Sequence, residues 1–222
     1  MIRKNDTITG PLERPLLKWF CARLPDGVTS DMLTAIGVTG AAISFVGYSL
    51  SGLGTGFIWL ACLGLIINWF GDSLDGTLAR HLKAERPKYG FFLDHMTDTF
   101  AMALVAIGIG LSPYANLTSA MAVLLGYLFM VILTMVKSRA TDVFQVSYNG
   151  FGPTEIRLII ILFSITAIFF PTPRWVWFDL ATTIYDVIML VAALLLTGAC
   201  IADTIMTARS LAIVDPPRRR TP

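Results

Sequence analysis

Two long stretches without a charged residue dominate this sequence. No Asp, Glu, Lys or Arg occurs between Met32 and Gly71, or between Thr99 and Val136. A helix of about 20 apolar residues crosses a lipid bilayer, and each stretch is about twice that length. Each stretch is therefore predicted to form two membrane-spanning helices joined by an uncharged loop.

Two shorter uncharged stretches, from Leu158 to Pro173 and from Val187 to Ala202, predict two further spans. Backbone polar groups in lipid must be satisfied within the spanning structure, as helices and closed barrels allow. The sequence is 55% hydrophobic and 14% charged, and it predicts an all-α integral membrane protein. The six transmembrane helices are expected over residues 32–50, 56–79, 90–111, 117–138, 155–171 and 183–207. They form a single domain over residues 1–222, with an N-terminal segment (1–30), a six-helix bundle (31–208) and a tail (209–222).

Basic residues cluster on alternate connections. Lys and Arg are frequent before the first span, between the second and third, between the fourth and fifth, and after the sixth, whereas the loops around 51–55 and 112–118 carry no charge. Short cytoplasmic loops carry the excess of positive charge in membrane proteins. Both termini are therefore expected on the cytoplasmic side, of the inner membrane if the protein is bacterial.

The segment from Pro11 to Leu24 mixes apolar side chains with Arg14, Lys18 and Arg23, as a short amphipathic helix in the membrane interface does. Pro15 predicts that the regular helix begins there, and a plain loop is the alternative. The N-terminus lacks a signal-peptide pattern, so the first span is expected to act as the insertion signal. The scattered cysteines are expected to pack as small apolar residues, without disulfide or zinc.

Four aspartates lie at the facing ends of the second and third spans: Asp72, Asp75, Asp94 and Asp98. On helices, each consecutive pair is one turn apart and shares a face, and the short connection makes the two spans antiparallel neighbours. Carboxylates gathered at a membrane boundary repel one another unless a cation neutralises them. The pattern predicts two divalent ions with oxygen ligands, Mg²⁺ or Mn²⁺. Taken by itself, each aspartate is more typical of a solvated helix end.

Phosphoryl transfer is the chemistry that such a metal cluster serves, because the ions bridge phosphate oxygens and offset developing charge. Gly76 has no side chain and so leaves room for a nucleotide to approach the helix. The guanidinium of Arg80 has N–H groups that can donate hydrogen bonds to two phosphate oxygens at once. Two other classes remain open. A transporter would place its acids near the bilayer midplane beside broken helices, and an inactive scaffold would lack part of the acidic pattern.

The complete pattern from Asp72 to Asp98 reads Asp-x2-Asp-Gly-x2-Ala-Arg-x9-Gly-x3-Asp-x3-Asp. All eight specified positions resemble the signature of the CDP-alcohol phosphotransferase family, whose six helices and cytoplasmic amphipathic segment resemble the arrangement predicted above. The resemblance implies transfer of a phosphoalcohol unit from a CDP-linked donor to an alcohol or lipid acceptor, with release of CMP. It also implies a homodimer in the lipid bilayer, and no nucleic-acid partner is expected.

The resemblance assigns metal binding to the four aspartates and proton removal to Asp98. It assigns contact with the CDP donor to three residues of the second span: Gly76, Ala79 and Arg80. Thr34 joins this group because the segment before it resembles the Thr-Pro-Asn-x-x-Thr motif of the family, with Ser30 and Asp31 in place of proline and asparagine. A capping and packing role is the alternative for Thr34.

The acceptor alcohol depends on weaker resemblances. His95 resembles the Asp-His-x-x-Asp variant of choline and ethanolamine phosphotransferases, where the histidine assists proton removal. Glu155 resembles a residue of aminoalcohol transferases that could face a cationic headgroup, and its alternative role is in starting a helix. Lys137 and Arg139 resemble basic residues that other branches use for a phosphorylated acceptor, and their alternative role is to end a cytoplasmic helix.

These features favour transfer of a choline or ethanolamine headgroup from its CDP derivative to a lipid hydroxyl. The alternative is phosphatidyl transfer from CDP-diacylglycerol to a small alcohol, namely glycerol phosphate, inositol, inositol phosphate or serine.

Overall fold

The computed structural model describes residues 2–4, 8–141, 143–145, 152–170, 173–177 and 180–216. Within these ranges the chain is almost wholly helical. The helices are α1 (Gly10–Cys21), α2 (Ser30–Leu50), α3 (Gly56–His81), α4 (Pro87–Leu111), α5 (Leu117–Thr141), α6 (Pro153–Phe169) and α7 (Ile184–Val214).

Five of the described helices are long and apolar enough to cross a membrane: α2 with the turn that follows it, α3, α4, α5 and α7. A multi-pass integral membrane protein is thereby confirmed. Helix α6 has 17 residues and is not among the five. The crossing predicted over residues 155–171 therefore stays a prediction.

Among the described residues, two pairs of three-residue strands lie outside the helices. Strand β1 (Ile2–Lys4) pairs in parallel with β2 (Val143–Gln145), and β3 (Trp175–Trp177) pairs antiparallel with β4 (Leu180–Thr182). The first pair joins the N-terminal segment to the connection between α5 and α6.

Helix α1 has two unlike faces. Leu17 and Cys21 are buried in a cluster with residues of α2 and α3, whereas Leu12 is 82% exposed and Trp19 is 49% exposed. An amphipathic segment is thus present, but it begins at Gly10 and Pro15 lies inside it. The prediction that the helix starts at Pro15 is wrong. The side of the membrane on which α1 lies stays a prediction.

The backbones of α2 and α3 pack in close contact. A Cβ atom at Gly40 or at Gly64 would collide with backbone atoms of the opposite helix. In the same interface, Asn68 Nδ2 of α3 donates a hydrogen bond to the Gly37 carbonyl of α2 at 2.9 Å. Small residues allow membrane helices to approach this closely. The paired helices form one wall of the site described below.

Gly64→Leu is expected to destabilise the protein by about 3 kcal/mol or more, because the new side chain has no space unless α2 and α3 separate. Thermal unfolding of the detergent-solubilised protein, followed by circular dichroism, measures the loss. Gly198→Leu is the matched control, since a Cβ at this helical glycine of α7 meets no atom within 4 Å. Equal melting temperatures for the two variants would contradict the packing account.

Candidate active site

The carboxylates of Asp72, Asp94 and Asp98 converge at one place. Asp72 lies on α3, and the other two lie on α4, one turn apart. One carboxylate oxygen from each residue lies within 4.8 Å of the others, and all three side chains are half-buried. Helix α2 packs more extensively against α3 and α4 than these two helices pack against each other. The acidic faces of α3 and α4 therefore meet beside α2.

Asp75 lies next to this cluster but is directed towards α2. Its Oδ2 accepts a hydrogen bond from Thr34 Oγ1 at 2.6 Å, and its Oδ1 accepts one from the Gly76 backbone N–H. Ser30 Oγ also donates to the Asp75 carbonyl at 2.7 Å. Asp75 and Thr34 line a small cavity together with Asp72 and Asp98. The structure thus places Thr34 beside the acidic residues.

Arg157 of α6 lies between the aspartates of α3 and α4. Its Nη2 is 2.9 Å from Asp72 Oδ2 and 3.3 Å from Asp98 Oδ1, and its Nε donates to Asn68 Oδ1 at 2.8 Å. The side chain is only 4% exposed. Its Nη1 is buried and has no hydrogen-bond partner among the described residues. A buried guanidinium here offsets part of the negative charge that the aspartates concentrate.

The role of Arg157 was not predicted from the sequence, because the orientation of the spans already explains basic residues at that connection. A signal was nevertheless present. Arg157 is followed directly by a long apolar run, and a charged residue within an apolar helix needs a counter-charge.

The donor set of this site fits a divalent cation. Three carboxylates that each present an oxygen within 4.8 Å of the others form the oxygen-rich environment that Mg²⁺ or Mn²⁺ prefers. Asp75 extends the acidic surface by one helical turn. The fit agrees with the predicted ligands Asp72, Asp94 and Asp98, while Asp75 has both oxygens engaged in hydrogen bonds.

Residues 27–199 match a sequence model of the family described as CDP-alcohol phosphatidyltransferase. The chain belongs to this family. The resemblance drawn from the spacing of the aspartates is thereby confirmed, and members of this family transfer phosphate-containing groups.

Two curated proteins from bacteria are similar to this chain. An uncharacterized protein of Aquifex aeolicus is 31% identical over 130 residues, which cover 55% of this chain and 66% of that protein. A phosphatidylinositol phosphate synthase of Cutibacterium acnes is 34% identical over 84 residues, 38% of each chain. The alignments therefore span less than two thirds of either relative.

Three of the predicted donor-binding residues lie on the last turns of α3, and the fourth, Thr34, lies on α2. Arg80 is exposed, and its Nη2 donates a hydrogen bond to Thr77 Oγ1 at 3.2 Å. A Cβ at Gly76 would meet only the guanidinium of Arg80, at 3.5 Å or more. The packing of the protein therefore does not require glycine at this position. Ala79 lies between Gly76 and Arg80 on the same helix.

His95 lies beside the acidic cluster. Its Nδ1 is 2.8 Å from the Phe91 carbonyl and 3.4 Å from Asp94 Oδ2, and its ring packs on the ring of Phe91. Both partners of Nδ1 accept hydrogen bonds, so the proton is assigned to Nδ1 and Nε2 is the basic nitrogen. The geometry is compatible with a histidine that braces Asp94, and its role in proton transfer stays a prediction.

The three predicted acceptor-binding residues lie at the end of α5 (Lys137 and Arg139) and in the first turn of α6 (Glu155). Lys137 Nζ contacts both carboxylate oxygens of Asp203 on α7, at 2.7 and 2.8 Å. Arg139 is exposed in the last turn of α5. Glu155 is buried, and its Oε1 accepts hydrogen bonds from the backbone N–H and hydroxyl of Thr9 at 2.9 and 2.8 Å. The structure thus gives Lys137 and Glu155 partners within the protein.

Proposed function

We propose that this protein is a phospholipid biosynthetic enzyme that transfers a phosphoalcohol unit from a CDP-linked donor to an alcohol and releases CMP. The observation that carries the proposal is the convergence of Asp72, Asp94 and Asp98 from two helices beside Thr34 and Asp75. Family membership independently supports phospholipid headgroup transfer.

The proposed reaction is a single in-line displacement. The acceptor oxygen forms a bond to the phosphorus distal to cytidine, and the bond from that phosphorus to the bridging oxygen breaks. The bridging oxygen leaves with its electron pair as part of CMP. Asp98 takes the proton of the acceptor hydroxyl, directly or through one water.

The other site residues hold the donor in place. Gly76 and Ala79 give the nucleotide close access to α3, Arg80 binds phosphate oxygens, and Thr34 orients Asp75 through its 2.6 Å hydrogen bond. Two Mg²⁺ or Mn²⁺ ions, when held by the four aspartates, supply charge neutralisation for the diphosphate. His95 braces Asp94 through its Nδ1, which lies 3.4 Å from Asp94 Oδ2.

Gly76→Ala is expected to leave the fold intact and to weaken binding of the CDP donor by about tenfold or more. The protein has space for the added methyl group, whereas a nucleotide lying against α3 at this position does not. Equilibrium titration with CDP, beside a melting curve, measures both effects. Wild-type affinity in the folded variant would remove Gly76 from the donor site.

We infer that the donor is CDP-diacylglycerol and that the acceptor is a small alcohol. The similarity to a protein named phosphatidylinositol phosphate synthase supports this arrangement. The contacts of Glu155 agree with it, because its carboxylate is held by Thr9 and is not presented to a cationic headgroup. Lys137 is paired with Asp203, whereas Arg139 is exposed, so uncharged alcohols such as inositol and phosphorylated ones such as inositol phosphate are both candidate acceptors.

Headgroup transfer from CDP-choline or CDP-ethanolamine to a lipid hydroxyl is the second candidate. It is favoured by His95 directly after Asp94, a sequence feature typical of that branch.

Release of CMP by the purified protein, measured across a matrix of donors and acceptors with Mg²⁺ or Mn²⁺ present, tests the proposal. CDP-diacylglycerol with one of the small alcohols, glycerol phosphate, inositol, inositol phosphate or serine, is expected to give CMP and a new phosphodiester in detergent micelles, where no sealed compartment exists. Activity with CDP-choline and diacylglycerol alone would favour the second candidate. A protein that binds no cytidine nucleotide but moves ions across liposomes would be a transporter.

The proposal also includes a homodimer whose active sites face the cytoplasm. The distribution of Lys and Arg in the sequence supports this orientation. Analytical ultracentrifugation in detergent measures the oligomeric state, and labelling of single cysteines placed in the tail measures the orientation.

A further inference from the structure

Glu13 of the N-terminal helix joins three helices through one oxygen atom. Its Oε1 accepts hydrogen bonds from Trp69 Nε1 at 2.8 Å, from Ser73 Oγ at 3.1 Å and from Thr154 Oγ1 at 2.9 Å. Trp69 and Ser73 belong to α3, and Thr154 belongs to α6. Glu13 precedes residues 27–199, which match the family, so the comparison assigns it no role.

This set of hydrogen bonds lies beside the candidate active site. Ser73 follows Asp72 directly, and Thr154 precedes Arg157 by three residues, which is about one helical turn. Asp72 and Arg157 make their own contact between α3 and α6, at 2.9 Å. Glu13 thus provides a second bridge between the same two helices, next to the ion pair.

A purely structural role for Glu13, in attaching α1 to the other helices, does not account for the partners of its hydrogen bonds. The burial of Leu17 and Cys21 in a cluster with Leu33, Leu74 and Leu78 already attaches α1 to α2 and α3. An acidic residue in the first turn of a helix normally interacts with the N–H groups of its own helix. The hydrogen bonds of Glu13 instead come from side chains of two other helices.

The N-terminal segment makes a second contact with the first turn of α6. The residue before α1, Thr9, donates two hydrogen bonds to Glu155, which lies between Thr154 and Arg157. The N-terminal segment therefore holds the first turn of α6 at two consecutive residues.

We propose that Glu13 is a positioning residue for the reaction. From α1 it fixes the first turn of α6 against α3, and it thereby holds the guanidinium of Arg157 between Asp72 and Asp98. The effect on turnover rests on the proposed function, whereas the effect on α6 does not.

Glu13→Ala and Glu13→Gln test the proposal, with Asp26→Ala as the control. Asp26 is an exposed acidic residue in the connection between α1 and α2. Glutamine keeps a carbonyl oxygen that accepts hydrogen bonds, whereas alanine removes the acceptor. Hydrogen exchange of the whole detergent-solubilised protein gives a readout that does not depend on activity.

Glu13→Ala is expected to raise amide exchange in the first turn of α6 and around Ser73, while exchange in α5 and α7 stays at the wild-type level. Its kcat is expected to fall by about tenfold or more, because even a small displacement of the catalytic groups from the reacting atoms lowers the rate strongly. Its dissociation constant for CDP is expected to change much less. Glu13→Gln should recover most of the rate, and Asp26→Ala should match the wild type.

Three outcomes would overturn the proposal. They are wild-type exchange at α6 in Glu13→Ala, raised exchange with an unchanged kcat, and a Glu13→Gln protein as impaired as Glu13→Ala. If Glu13→Ala does not fold, Thr154→Val removes one hydrogen bond and must reproduce the local exchange effect for the proposal to stand. If the wild type releases no CMP from any donor, the proposed function fails, while the exchange data still decide whether Glu13 holds α6.

Discussion

Asp98→Asn is expected to fold, to bind CDP and to lose nearly all turnover. Asparagine keeps the size of the side chain and an oxygen that can accept the hydrogen bond from Arg157 Nη2, which is 3.3 Å from Asp98 Oδ1. It cannot take a proton from the acceptor alcohol. Loss of a general base commonly costs about 10² to 10⁴ in rate. Loss of a charged metal ligand adds to that cost, and CMP release beside CDP titration measures both effects.

Asp26→Asn is the matched control for this variant, because Asp26 is exposed and remote from the acidic cluster in the sequence. It should retain the wild-type rate. His95→Ala should retain more activity than Asp98→Asn if the histidine only braces Asp94. A near-normal rate in Asp98→Asn would remove Asp98 from the mechanism, and an equally inactive His95→Ala would make His95 the principal base.

Arg157→Met is expected to destabilise the metal-free protein by about 3 to 5 kcal/mol. Methionine fills part of the space but leaves Asp72 and Asp98 without the buried cation between them, and removing one partner of a buried ion pair has a cost of this size. Divalent ions should recover more of the melting temperature in this variant than in the wild type, because they replace the missing positive charge. Thermal unfolding with and without Mg²⁺ measures the difference.

Arg174→Met serves as the control for the loss of an arginine. Arg174 is exposed, and its Nη2 donates a hydrogen bond to the Pro113 carbonyl at 2.6 Å within the described part of the chain. Its replacement should lower the melting temperature only slightly, with the same response to Mg²⁺ as the wild type. An Arg157→Met protein that behaves like this control would show that the guanidinium does not balance the aspartates.

The helices that cross the membrane were largely predictable from the sequence. Charged residues are excluded from lipid, so the uncharged stretches locate α2 to α5 and α7 to within a few residues, apart from the longer C-terminal end of α7. The start of α1 was not predictable in the same way. Pro15 lies in the middle of α1, and the hydrogen bond it removes would reach the carbonyl of Pro11, an exposed residue that water can reach.

The candidate site was predictable where it depends on spacing within a helix. Asp94 and Asp98 share a face of α4 for that reason, and Asp72 meets them because the uncharged stretches and the short connection place the three residues at one end of the bundle. Partners on distant elements could not be predicted. The contacts of Arg157 with Asp72, of Lys137 with Asp203 and of Glu155 with Thr9 depend on tertiary packing, which a single sequence does not specify.

Formation of CMP before and after removal of divalent ions tests the central claim most directly. Wild-type protein with its best donor and acceptor should form no CMP in EDTA, because the aspartate cluster then repels the diphosphate. Mg²⁺ or Mn²⁺ should restore the rate, whereas a monovalent salt at the same ionic strength should not. An unchanged rate of CMP release in a rigorously metal-free sample would contradict the proposed role of Asp72, Asp75, Asp94 and Asp98.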